Sequence, residues 1–198
     1  RGEYQFGEAL SIYALAKQFD ASRQPVASAV LYLRGVGYLE IIPQVGCRVV
    51  SPSQQEVEDF YVLFSRTEAL ISRFAAERHT EEESQSLFEM SEELSQNPFQ
   101  TSQDRRTMAD GISLFHDQIS AMARSKLLLE RIGNLRRIFR FYLSQGRTRH
   151  DPAAGPPHQL NQSRLELVEQ IRSRNVAGAE ASTEAYILGS LPDWSRVV

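Results

Sequence analysis

Ser22-Arg23-Gln24-Pro25-Val26 puts a hydroxyl, a guanidinium and an amide into the first turn of a segment with helical spacing. Arginine and glutamine are side chains that place paired hydrogen bonds on the edges of guanine and adenine. The free N–H groups of a helix start suit phosphate. Ser28 falls near the same end, and Arg34 at the far end of the same helix, within reach of a phosphate backbone. Arg48 follows a turn tipped by Gly46 and is placed to touch phosphate or a minor groove.

The rest of the chain offers less obvious chemistry. His116 lies beside Phe115 on an apolar face, as a hydrogen-bonded interior histidine or a ligand contact would. Ser120, Asp117 and Glu130 near it form no nucleophile–base or paired-carboxylate constellation, so nothing points to catalysis. His79, His150 and His158 fall in loops or at helix ends without ligand spacing, and surface positions are expected for them. The single cysteine, Cys47, excludes an internal disulfide framework and a cysteine-based zinc site.

Two regimes of pattern position these residues. Before residue 50 the segments are short. Residues 10–19 read as a helix, and Ser22 caps a second one to about residue 34, with Pro25 tolerated in its first turn. The small Ala16 after Leu15 lets the two helices approach. Gly35 and Gly37 end the second helix, and residues 38–42 and 47–50 flank a turn at 43–46 as a hairpin. After Pro52 the period is helical. Phe60, Phe64, Ile71 and Phe74 stripe a helix over 55–78, and Thr80 with Glu83 forms a capping box for the next, which fades near Asn97-Pro98. Met108, Ile112, Phe115, Ile119 and Met122 stripe a helix over 103–124. A fourth spans 126–144, a Pro- and Gly-rich loop 146–157, and two last helices 159–173 and 176–190.

The 198 residues fit two small domains, and 41% hydrophobic with 24% charged residues is ordinary for a globular protein. The richest apolar stretch, 127–143, is broken by Glu130, Arg131, Arg136, Arg137 and Arg140, so no membrane span is expected. Residues 1–7 hold no signal-peptide core, and a cytoplasmic location is expected. The net charge of −3 does not advertise nucleic-acid binding. Residues 1–50 alone balance at +1 and the remainder at −4, an asymmetry of the right sign but weak.

Gly7-Glu8-Ala9-Leu10-Ser11, Leu15-Ala16, Ser22 through Val26, Gly37-Tyr38-Leu39 and Gly46 resemble the winged helix of GntR regulators. The helical remainder resembles the C-terminal domain of their FadR subfamily, the FCD type. Its marks are Glu68, Ala75-Ala76-Glu77-Arg78-His79-Thr80, Phe115-His116 and Ile171-Arg172-Ser173-Arg174-Asn175. The resemblance implies a mostly α fold: a winged helix-turn-helix with a small β-hairpin wing over 1–51, then an all-α antiparallel helical-bundle effector domain over 52–198. It implies a non-enzymatic homodimer, a repressor, that binds palindromic operator DNA with an affinity set by a small organic-acid effector. The family's winged helix normally begins one helix before Arg1, so that helix is expected to be absent from residues 1–51. Ala27 stands where the family usually has an arginine, which implies a missing contact and an altered operator preference or affinity.

Many family members hold a divalent metal through one aspartate and three histidines. Carried over by position, His116 matches the first histidine, the aspartate position is Ile112, and the other histidines fall on Arg164 and Tyr186. Asp110 lies about 120° round the helix from the required direction. A guanidinium cannot coordinate a cation and repels it. The resemblance therefore implies an effector site of Phe64, Glu68, Ile112, His116, Arg164 and Tyr186 without metal or other cofactor, in which Arg164 grips an organic anion through two parallel hydrogen bonds. Phe64 takes the place of an effector-facing arginine and also belongs to the apolar stripe. Arg66, Arg73 and Arg78 are expected to be solvated. The connector Ser51-Pro52-Ser53 is expected to carry motion of the first sensor helix to the wing. The competing expectations are an interaction module with weak or lost DNA binding, a helical-domain enzyme, and a closed pocket with Arg164 paired to Glu68 or turned to solvent.

Overall fold

The computed structural model describes residues 4–43, 46–96, 102–147 and 158–191. The expected wing tip at Gln44-Val45, the fading of a helix at Asn97-Pro98, His150 and most of the loop at 146–157 lie outside them.

The N-terminal part is a helix-turn-helix closed by a three-stranded sheet. Ser11 caps α1 (Ile12–Gln18), its hydroxyl accepting from the Ala14 N–H at 3.4 Å. Asp20, at φ 48, makes the turn into α2 (Arg23–Gly35), which buries Val26 and Val30. Leu10 is not helical. With Ala9 it forms β1 (Ala9–Leu10), a strand that exists only by pairing with β3 (Gly46–Val49), which also pairs with β2 (Leu39–Ile42). The order is β1-β3-β2, all antiparallel, with Cys47 opposite both Leu10 and Ile41. Gly46, at φ +138, brings its backbone close to the Leu10 carbonyl, and a Cβ there would stand 3.3 Å from that oxygen. Val30, Leu39, Cys47 and Val49 form a small core.

The remaining elements form a helical bundle: α3 (Gln54–Arg78), α4 (Glu81–Gln96), α5 (Ser102–Met122), α6 (Lys126–Arg147), α7 (His158–Arg172) and α8 (Val176–Gly189). α3 opens on a complete Ser53/Glu56 capping box, so the connector leads straight into a fixed helix start. The Thr80/Glu83 box is formed as expected, at 2.7 and 3.2 Å. α3 is the central helix, with Val57, Tyr61, Phe64, Ile71, Ala75 and Ala76 buried against its neighbours.

The end of α3 is held by three arginines. Arg78 donates to the Ala123 carbonyl (2.7 Å) and Arg124 to that of Arg78 (2.6 Å). Arg174 donates to the carbonyls of Ala76, Glu77 and His79 (3.3, 3.3 and 2.7 Å). Cations there satisfy carbonyls the helix cannot and oppose its dipole. One sequence expectation changes here, that of a surface His79, and the solvated arginines of α3 gain partners. Arg78 is engaged and stacked on Phe74, with its guanidinium carbon 4.1 Å from the ring centre. His79 is buried, its Nδ1 2.9 Å from the Ala75 carbonyl, because the three arginines close over the helix end. The side chains of Arg66 and Arg73 are solvent-exposed as expected, and also pair with Glu184 and with Glu77 and Glu180, two of these partners lying on α8.

Candidate functional site

Ser22, Arg23, Gln24, Ser28 and Arg34 are all exposed on α2. The Ser22 backbone is extended, as at an N-cap, but its hydroxyl makes no capping hydrogen bond. The helix start therefore presents a hydroxyl and unused N–H groups outward. The Arg23 guanidinium carbon lies 5.2 Å from the centre of the exposed Tyr13 ring on α1, so Tyr13 helps to hold it. Arg48 is exposed on β3 and bound to Glu40 across the hairpin, with Nε and Nη2 both 2.8 Å from Oε2. Arg48 thus already holds a carboxylate in this structure.

The residues expected to bind an effector come together within the bundle, supplied by α3, α5, α7 and α8. His116 lies edge-on to Phe115, and its ring is 6.0 Å from that of Tyr186. Arg164, fully buried, is hydrogen-bonded by Tyr186. Its Nε donates to Ser91 Oγ (3.3 Å), and its Nη2 to the Ser91 carbonyl (3.4 Å) and Ser95 Oγ (2.9 Å). Every partner is neutral, and among the described residues no carboxylate forms an ion pair with it. Glu68, 3% exposed, is instead gripped by Arg136 of α6 through two bonds, Nε to Oε1 at 2.6 Å and Nη2 to Oε2 at 2.8 Å. Arg136 also lies 3.6 Å from the exposed Asp117. Pairing of Arg164 with Glu68 therefore does not occur. The two-pronged grip on an anion is not available as drawn either, because the Nε and Nη2 edge is engaged by α4 and Tyr186 accepts a further guanidinium hydrogen bond.

Phe64 is core rather than lining. It is 2% exposed and stacked on Phe139 at 4.4 Å. Ile112 is half-buried against the core.

Burial pushes the His116 imidazole below its usual range. The charges of Arg136 and Arg140 push the same way, and those of Glu68 and Asp117 oppose them. The ring is therefore neutral at pH 7. Burial also pushes the Arg164 guanidinium below its usual range, against the opposing effect of Tyr186. For Arg136, burial acts downward, but the bonds and charge of Glu68 and the charge of Asp117 outweigh it, and the net shift is upward.

Among the described residues, no group of three or more His, Cys, Asp and Glu stands together as a metal site would require. At the family's ligand positions the donors are one imidazole, a phenol and a guanidinium, with an isoleucine in place of the carboxylate. This set does not fit a divalent ion. No described helix is long and apolar enough to cross a membrane.

Sequence reasoning missed Arg136, Ser91 and Ser95. Arg136 had a signal: it interrupts the apolar face that Ile132 and Phe139 mark on α6, and a cation in an inward stripe needs a partner. The serines of α4 carried none. A separate open groove of about 410 Å³, lined by Leu70, Phe74, Leu127 and Leu128 with Ser125 and Arg131, touches none of the expected residues.

Residues 1–49 match the family model described as bacterial regulatory proteins, gntR family, and residues 60–189 match that of the FCD domain. The chain is 24% identical over 184 residues to the HTH-type transcriptional repressor RspR of Escherichia coli strain K12, covering 91% of this chain and 77% of RspR. The fold matches that of E. coli McbR/YncC with a TM-score of 0.71, at 20% identity, over 94% of this chain and 86% of that one. A GntR family member from Pseudomonas syringae pv. tomato matches with a TM-score of 0.52 at 19% identity, over 98% and 80% of the two chains.

Proposed function

Because the chain belongs to the gntR family of bacterial regulatory proteins and carries an FCD domain, we propose that it is a repressor whose binding to a palindromic operator is controlled by a small organic acid. In this reading residues 1–51 bind DNA and residues 52–198 hold the effector. α2 enters the major groove, with Arg23, Gln24 and Ser28 at base edges and Ser22 and Arg34 at phosphate. The sequence resemblance to the FadR subfamily supports this reading, and the relative RspR is itself named a repressor.

The observation that carries the effector reading is the buried Arg164, whose partners among the described residues are all neutral. A buried cation without a counter-charge is costly, and an anion that supplies one is bound strongly for the same reason. The other interior charges of the site, Glu68 and Arg136, already cancel. One positive charge unmet among the described residues suits a monocarboxylate, with Tyr186 and neutral His116 as its polar neighbours and Ile112 an apolar wall. No metal takes part.

Two measurements test this. A duplex from the region upstream of its own gene should be shifted by the protein, and a monocarboxylate found by thermal-shift screening should alter that shift. Arg164→Ala should abolish the stabilisation by the acid while leaving DNA binding without acid intact. An acid that stabilises wild type and Arg164→Ala equally, or a chelator that removes acid binding, overturns the site. Failure to bind any operator-like DNA would favour the interaction-module reading, for which the Arg48–Glu40 pair and Ala27 are the motives.

A further inference from the structure

α6 has two working faces. One carries Ile132, Arg136 and Phe139 toward α3, where Arg136 grips Glu68, and Phe139 stacks on Phe64 (4.4 Å) and packs on Tyr61 (5.1 Å). The other carries Asn134, Ile138, Phe141 and Gln145, spaced four, three and four apart, so they form one stripe along the helix. That stripe faces the winged helix throughout. Asn134 Nδ2 lies 3.5 Å from the Val36 carbonyl. Ile138 packs beside Gly37, whose positive φ of 90° explains the glycine. Phe141 meets Tyr38 (5.2 Å) and Phe6 (5.5 Å) edge to face.

Gln145, 3% exposed, closes the stripe with two bonds to one stretch of backbone: its Nε2 donates to the Tyr4 carbonyl (3.0 Å), and its Oε1 accepts from the Phe6 N–H (3.1 Å). Phe6 packs against both cores. A second line of rings runs from Phe64 through Phe60 and Tyr142 to Phe6, with centres 6.0, 5.1 and 5.6 Å apart.

We propose that α6 is the lever between the effector site and the winged helix: Arg136 registers the state of the site through Glu68, and Phe141 and Gln145 transfer it to the segment leading into β1. Gln145 is a positioning residue for DNA binding, about 14 Å along the helix from Arg136. The lever supplements the Ser51-Pro52-Ser53 connector and rests on the proposed function only in taking Glu68 as part of the site. Helices transmit displacement because they are stiff along their axis, and a packed interface shifts between discrete arrangements rather than deforming smoothly.

Cys47 offers a readout that needs neither effector nor operator. It is the only cysteine, 3% exposed on β3, hydrogen-bonded to the Leu10 carbonyl, and its thiol is shifted upward by burial. Its reaction with an aromatic disulfide reagent therefore reports opening of the winged helix. In the full chain, Glu68→Gln and Gln145→Ala should each speed labelling about fivefold or more, and the double variant should be no faster than the faster single, since both cut one linkage. Arg174→Ala, which weakens the bundle at the far end of α3, should leave the rate within about twofold of wild type. Arg136→Lys, which keeps the charge but not the fork, should fall between wild type and Glu68→Gln and serves if the latter does not fold. A wild-type rate in Glu68→Gln or Arg136→Gln, multiplied effects in the double variant, or equal acceleration by Arg174→Ala overturns the lever. Loss of Arg164-dependent acid binding would leave these labelling outcomes untouched.

Discussion

Arg164 and Glu68 are both buried, yet they answer opposite demands. Glu68 has its charge met by a two-bond partner, so Glu68→Gln strands Arg136 and should cost about 3 kcal/mol in urea unfolding. Arg164 has no counter-charge among the described residues, so without anion Arg164→Met should be neutral or stabilising, and the same variant should gain nothing from an acid that stabilises wild type. A loss of several kcal/mol in acid-free Arg164→Met would mean the guanidinium is structural. His116 adds a pH signature. Its folded value lies below the unfolded one of about 6.5, so the unfolded chain binds the proton first. Stability should be flat above that value and fall as pH drops from it toward the folded value. His116→Gln should lessen the slope, which unfolding curves at pH 5 and pH 7.5 would read. His116, Arg164 and Tyr186 were brought out by the family resemblance, carried over position by position. The partner of Arg136 and the burial of His79 could not be, because both depend on which helices face each other across long separations in sequence.

Elements were the most readable level. Every helix with a strong apolar stripe or a capping box lies within a few residues of where its pattern put it, because those signals are local. β1 escaped because two residues carry no periodicity, and Ala9–Leu10 is a strand only through β3. The end of α6 was placed too early, at residue 144. Its last turn includes Gln145, whose partners Tyr4 and Phe6 lie at the other end of the chain. The arginine cluster at the end of α3 yields a prediction at this scale. Arg174 is exposed but donates to three carbonyls, so Arg174→Ala should lower stability by about 1–2 kcal/mol. The loss should appear as faster hydrogen exchange in the last turn of α3, including the Arg78 and His79 amides. Exchange unchanged there would assign the capping to Arg78 and Arg124 alone.

Over the whole molecule, the charge works against nucleic acid. At a net charge of −3, attraction to DNA must come from a local set of cations in an otherwise repelling chain. A single winged helix buries too little surface for tight specific binding, so two copies on a palindrome are expected, with a steep salt dependence from the phosphates both engage. The two arginines of the DNA face should then behave differently. Arg23 is exposed, held by Tyr13 and unopposed by any carboxylate among the described residues, so Arg23→Ala should weaken operator binding by more than about tenfold, the worth of one good base contact. Arg48 is half-neutralised before binding by Glu40, so Arg48→Ala should cost less than Arg23→Ala. Glu40→Gln removes the competitor and one repelling charge per copy, and should tighten binding several-fold at low salt, with the gain shrinking as salt rises. Fluorescence anisotropy with an operator duplex at two salt concentrations measures all three variants. If Glu40→Gln bound more weakly, Glu40 would be orienting Arg48 for the phosphate rather than withholding it, and the wing would be docked as built instead of released on contact.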